Sequence, residues 1–216
     1  NPERFAGSQA PVTLSDLEKE QERYDVPEIM SQVRGIDELK SKEKLTTMQV
    51  NVGYGCNLSC THCFLECGPK RTETMNKETM DQCLDAFRNG PFEVMDITGG
   101  SPEMNPNLDY LIREASKSGQ VMVRTNIVIL NDEKYAPLID VYAENNVQIV
   151  CSLPYYNKKA VEKQRGNNVF EPTLRILRKL NELGYGKDEG HKLTLVYNTD
   201  GPYLPPNEIM LEDTYR

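Results

Sequence analysis

From Leu45 onward the chain alternates short apolar strand segments with amphipathic helix segments, and this rhythm narrows the possible folds more than any other feature. Strand-like runs fall at 47–52, 92–98, 120–126, 147–153 and 192–198. Helix patterns lie between them at 76–90, 107–119, 132–146 and 168–184. The first begins at a capping residue, Asn76, carries Met80, Cys83, Leu84 and Phe87 on one stripe, and stops at Gly90. The third is bent or restarted near Pro137. The last has Pro172 in its first turn and Phe170, Leu174, Leu177, Leu180 and Leu183 at helical spacing before Gly184. Alternation of this kind implies right-handed crossovers and a parallel sheet. Five strands fall short of an eight-unit barrel, which needs about 250 residues. The expected fold is therefore α/β, a partial (β/α) barrel of parallel strands over residues 45–216, incomplete at its C-terminal end. Residues 1–44 are polar and read as an N-terminal arm, with a short helix at 14–24 under a Ser15/Glu18 capping box.

In open parallel sheets and barrels, chemistry collects at the carboxyl ends of the strands. The unusual segments all follow strands: the cysteine-rich YGCNLSCTHCFLECGP, then GGSPEMNP, TNIVI, PYYN and NTDGPYLPP. The first of these holds four of the six cysteines, Cys56, Cys60, Cys63 and Cys67. Disulfides fit poorly, because disulfide-dense chains are typically small and secreted. Zinc would use the four thiolates, with His62 as a spare ligand, in a structural site supporting a non-catalytic binding module. An iron–sulfur cluster would use Cys56, Cys60 and Cys63, spaced CxxxCxxC. Three thiolates on a four-iron cluster leave one iron open to a ligand bearing both an amine and a carboxylate. Gly53 and Gly55 give the backbone freedom to wrap such a cluster. Cys83, on a helix stripe, and Cys151, inside a strand, read as core residues.

Charge removes other classes. Lys and Arg number 25 against 33 Asp and Glu, a net −8, which is not the basic surface of a nucleic-acid binder. No run approaches the roughly 18–20 apolar residues of a membrane span, and no secretory signal opens the sequence. The chain starts at Asn1. It is expected in the cytoplasm, or in an organelle lumen if a leader preceded it.

CxxxCxxC after the first strand, followed one βα unit later by Gly99-Gly100-Ser101-Pro102, resembles the radical S-adenosylmethionine (SAM) superfamily. The longer strings LTTMQVNVGYGCNLSCTHC, GPKRTETM, DITGGSPEMNP, KQRGNNVFEPTLRILRKLNELGYG and LTLVYNTDGPYLPP resemble, within it, the arsenosugar biosynthesis radical SAM protein family, from about Leu45 to Tyr215. The resemblance implies a [4Fe–4S] cluster on Cys56, Cys60 and Cys63, and S-adenosylmethionine held by Gly99, Gly100, Ser101 and Pro102. By position it adds Asn126, Ser152, the backbone of 196–198, Arg165 for the methionine carboxylate, and His62 packing near the adenine. It implies reductive cleavage of S-adenosylmethionine to a 5′-deoxyadenosyl radical, fed by a donor such as a flavodoxin or ferredoxin. The radical would adenosylate a methylated trivalent arsenical. Modification of a peptide or another small metabolite is the alternative within the superfamily.

The chain departs from the narrower family at three points. Thr125 and Tyr155 stand where that family has cysteines, and Cys67 stands where it has a small residue. Trivalent arsenic is soft and prefers thiolates, so Thr125, Tyr155 and Cys67 are the candidates on the substrate side. Members of the family also carry a further C-terminal region with its own cysteines, which this sequence does not include.

Overall fold

Five strands, β1 (Thr47–Asn51), β2 (Val94–Thr98), β3 (Gln120–Thr125), β4 (Gln148–Ser152) and β5 (Leu193–Val196), form one sheet in the order β1-β2-β3-β4-β5. Every neighbouring pair is parallel. This computed structural model describes residues 45–187, 190–199 and 204–215, so the expected arm over 1–44 and its helix at 14–24 lie outside the described residues.

The crossovers are helical. Between β1 and β2 runs α1 (Lys77–Asn89), where the Asn76 side chain accepts a hydrogen bond from Thr79 N at 2.9 Å. Next come α2 (Leu108–Ala115) and, after β3, α3 (Leu138–Glu144). α3 starts only after Pro137, so the expected 132–146 helix is broken there. Proline lacks the donor that would extend the helix and disfavours helical geometry in the residue before it. Two helices join β4 to β5: α4 (Lys158–Arg165), absent from the expectation, and α5 (Phe170–Glu182). The former is charged throughout and buries only Val161, Gln164 and Arg165, so it shows no apolar stripe. A last helix, α6 (Glu208–Tyr215), follows β5.

Strand side chains alternate between the two faces of the sheet. Met95, Ile97, Val121, Val123, Ile149 and Cys151 point into one core with Leu111, Ile112, Ile176 and Leu180 from the helices. The opposite face is more polar and carries Gln49, Asp96 and Arg124, with Gln49 opposite Asp96 in the register. The carboxyl ends of β1 to β4 run straight into the segments that the sequence marked out.

Candidate functional site

The cysteine loop is closed at its base by its own returning segment. Tyr54 N donates to Glu73 O at 3.0 Å and Met75 N to Val52 O at 2.9 Å. Gly53 lies in the left-handed region at φ +154°, and a β-carbon there would fall 2.6 Å from Glu73 O. Farther out, Cys56 N donates to Gly68 O and Gly68 N to Tyr54 O, both at 3.2 Å. Arg71 ties the tip down: Nη1 donates to Glu66 O at 3.1 Å while Nε pairs with Glu73. A second hold comes from far along the chain, since Thr61 N donates to the carbonyl of Gln164, in the last turn of α4, at 2.9 Å.

The glycine pair after β2 docks on this loop. Gly100 N donates to Gly53 O at 3.0 Å and Ser101 N to Gly55 O at 2.9 Å. A β-carbon on Gly100 would sit 2.4 Å from Gly55 O and 2.9 Å from Cys56 Cβ, so only glycine allows the approach. With these N–H groups engaged, the turn has carbonyl oxygens to offer, which is what an ammonium requires. Ser101 is 3% exposed; its hydroxyl lies 3.3 Å from Cys56 Sγ and donates to Asn57 Oδ1 at 2.8 Å. Pro102 opens a 3-10 turn, Pro102–Met104, behind the site.

Cys56, Cys60, Cys63 and Cys67 all line one cavity of about 210 Å³. His62, Gly99, Gly100, Thr125, Asn126, Ser152 and Arg165 share its walls, so residues from the ends of β1, β2, β3 and β4 and from α4 meet there. Arg165 is 2% exposed; one terminal amine donates to Ser152 O and the other to Asn126 O at 3.2 Å. Burial pushes the Cys60 thiol above its ordinary range and the Arg165 guanidinium pulls it back. Burial also lowers the His62 imidazole. Asn126 Nδ2 donates to Ser101 Oγ at 2.7 Å and to Asn57 Oδ1 at 2.9 Å, and it points at Cys56 Sγ from 3.7 Å. Its buried Oδ1 has no partner among the described residues. Thr125 is 3% exposed, and its hydroxyl accepts from Ile127 N at 3.0 Å, supporting a residue held at φ +48°. Cys67 N donates to Cys63 Sγ at 3.4 Å, and burial pushes the Cys67 thiol up to about 12.

The sequence-derived set thus divides. Ser101 and Pro102 support the cavity from behind rather than lining it. Tyr155 stands outside the lining, stacked on Tyr156 at 4.2 Å between ring centroids, with Tyr197 5.5 Å away. Arg124 lines the cavity and was not anticipated, because an arginine at a strand end has no sequence mark of its own. All six cysteines are free thiols, against the disulfide reading. Among the described residues no three His, Cys, Asp or Glu side chains gather as one metal ion would require. The donor set fits a larger group: three thiols on one cavity, a glycine cradle that a β-carbon would fill, and an orphaned amide oxygen.

The family model of the radical SAM superfamily matches residues 50–205. The chain belongs to the radical SAM superfamily. Its cofactors are accordingly S-adenosylmethionine and a [4Fe–4S] cluster. The subtilosin biosynthesis protein AlbA of Bacillus subtilis is 28% identical over 136 residues, covering 61% of this chain and 29% of AlbA. A probable GTP 3′,8-cyclase of Archaeoglobus fulgidus is 28% identical over 92 residues, or 43% of this chain and 30% of the cyclase. Among solved structures, Streptococcus suis SuiB bound to S-adenosylmethionine superposes with a TM-score of 0.60 at 18% identity, over 96% of this chain and 45% of SuiB. At that identity the likeness speaks to the fold. The chain spans less than half the length of each of these proteins. Among the described residues no helix is long and apolar enough to cross a membrane.

Proposed function

We propose that this chain is the core of a radical SAM enzyme in which Cys56, Cys60 and Cys63 ligate the cluster and S-adenosylmethionine lies along the Gly99–Gly100 turn. The observation that carries this reading is the meeting of the three thiols, that turn, Asn126 and Arg165 on one cavity at the strand ends. The chemistry the bound cofactors supply is one-electron cleavage of the sulfonium S–C5′ bond. The protein's part is placement. Carbonyls of the glycine turn would accept from the methionine ammonium, Arg165 would take its carboxylate, and Asn126 Oδ1 would accept a ribose hydroxyl. Ser152 and His62 complete the pocket, and the electron would come from an external donor of the flavodoxin or ferredoxin type.

The substrate reading is adenosylation of a methylated trivalent arsenical, supported by the long strings between Leu45 and Tyr215 and by Cys67, a fourth thiol on the same cavity. A second reading, modification of a peptide, is favoured by the likeness to AlbA, a bacteriocin biosynthesis protein. The test is anaerobic reconstitution, followed by reductant, S-adenosylmethionine and dimethylarsinous acid. An adenosyl-arsenical in the product mixture supports the first reading. If 5′-deoxyadenosine forms without it, the arsenical is ruled out and the enzyme class stands. Alanine at Cys56, Cys60 or Cys63 abolishes iron incorporation, whereas Cys67→Ser retains it; iron retained by all three alanine variants would remove the ligand assignment.

A further inference from the structure

The polar face of the sheet holds a pair that the cofactor reading does not use. Asp96, in the middle of β2, is 3% exposed. Arg124 Nε donates to both of its carboxylate oxygens at 2.9 Å, and Gln49 Nε2 donates to Oδ2, also at 2.9 Å. The buried acid therefore engages the Nε edge of the guanidinium. The terminal amines remain on a side chain that is 45% exposed, and Arg124 belongs to the cavity lining.

The other arginine of the lining is differently occupied. Arg165 donates to Ser152 O and Asn126 O, and its charge bears on the Cys60 thiol. Arg124 is held instead by a strand-to-strand contact, from β3 to β2. Among the described residues the lining contains both arginines and no Asp or Glu, although the chain carries a net charge of −8. With Arg165 given to the methionine carboxylate, the terminal amines of Arg124 are the guanidinium donors left in this lining for an anionic group of the substrate. A planar guanidinium with one edge pinned keeps its terminal amines in the fork geometry that receives two oxygens of a carboxylate or phosphate.

We propose that Arg124 is the substrate-recognising residue of this cavity, that it takes an oxyanion group of the substrate on its terminal amines, and that Asp96 is the positioning residue that aims it. The proposal rests on the reading of the cavity as the reaction chamber and adds the substrate's chemical class to it. Of the two substrate readings, this subsite supports the second: a peptide offers carboxylates to Arg124, whereas dimethylarsinous acid, uncharged near neutral pH, has no such group.

The experiment uses the reconstituted full chain under anaerobic conditions. Phenylglyoxal modifies exposed arginines, and peptide mass spectrometry follows Arg124 by itself. Succinate and inorganic phosphate are the probes at matched ionic strength, with sodium chloride as the control and S-adenosylmethionine in a separate arm. We expect at least one probe to slow modification of Arg124 by about fivefold or more at saturation. Protection by succinate alone assigns a carboxylate, and protection by phosphate alone a phosphate. In Asp96→Asn, which keeps the arginine, the half-protecting concentration rises about 10- to 100-fold; an unchanged value would remove the positioning role. Protection by neither anion overturns the proposal. So does protection by S-adenosylmethionine alone, which would make Arg124 a cofactor contact. Iron content and 5′-deoxyadenosine formation, measured on the same wild-type sample, report on the cofactor reading separately. Anion protection without a cluster would leave the subsite standing and that reading overturned.

Discussion

Gly100 is where a single atom matters most. Its missing β-carbon is the space in which the second strand's turn meets the cysteine loop. Gly100→Ala forces either Gly55 O or the turn to move, an overpacking change of about 1–3 kcal/mol. Equilibrium denaturation should show that loss, and calorimetry should show weaker S-adenosylmethionine binding, because the carbonyls of the turn move with it. Behind the same turn Glu103 is 3% exposed, with Oε1 accepting from Tyr142 Oη at 2.9 Å and Oε2 without a hydrogen-bond partner among the described residues. Burial raises its pKa, and the hydrogen bonding to its carboxyl only partly offsets this. A carboxyl raised on folding contributes stability that is fully present below its unfolded pKa and is lost as pH rises through its folded one. Glu103→Gln removes that loss. The denaturation midpoint of the variant relative to wild type should therefore climb as pH rises above the ordinary carboxyl range; a flat difference would mean that Glu103 is not held protonated.

At the scale of elements, α4 matters beyond its length. It was not legible in the sequence, because KKAVEKQR has no apolar stripe and its buried face is built from Val161, Gln164 and Arg165. The five strands and α1, α2 and α5 were legible from periodicity, with caps such as Asn76 where the sequence placed them. The cysteine loop and the glycine turn were legible from residue type and spacing. Arg124 and Asp96 were not, since an ion pair between neighbouring strands leaves no spacing signal along the chain. α4 also ends on a demanding residue: Gly166 caps it at φ +101°, directly after Arg165. Gly166→Ala meets no neighbour within 4 Å, so its cost is backbone strain alone, of order 1–3 kcal/mol. The expected outcome is a small fall in stability with a larger fall in S-adenosylmethionine affinity, separated by running melting and titration on the same sample. Equal changes in both would argue that the cap supports the helix and nothing more.

Taken whole, the molecule gathers its cavity from the ends of four neighbouring strands and one helix, so no contiguous stretch of chain contains it. A ligand that needs every wall stabilises the entire sheet. S-adenosylmethionine at a hundred times its dissociation constant should add about 2.7 kcal/mol to unfolding of the reconstituted protein, read as a shift in melting temperature. A ligand that bound one loop in isolation would leave the melting temperature of the rest where it was. The clasp between Thr61 and Gln164, 103 positions apart, carries this into biosynthesis. At about 5–20 residues per second, the cysteine loop leaves the ribosome roughly 5–20 seconds before the segment that fastens it. During that interval its thiols are open to oxygen and to stray metals, and a cell that loads the cluster must either wait for α4 or shield the loop until it arrives.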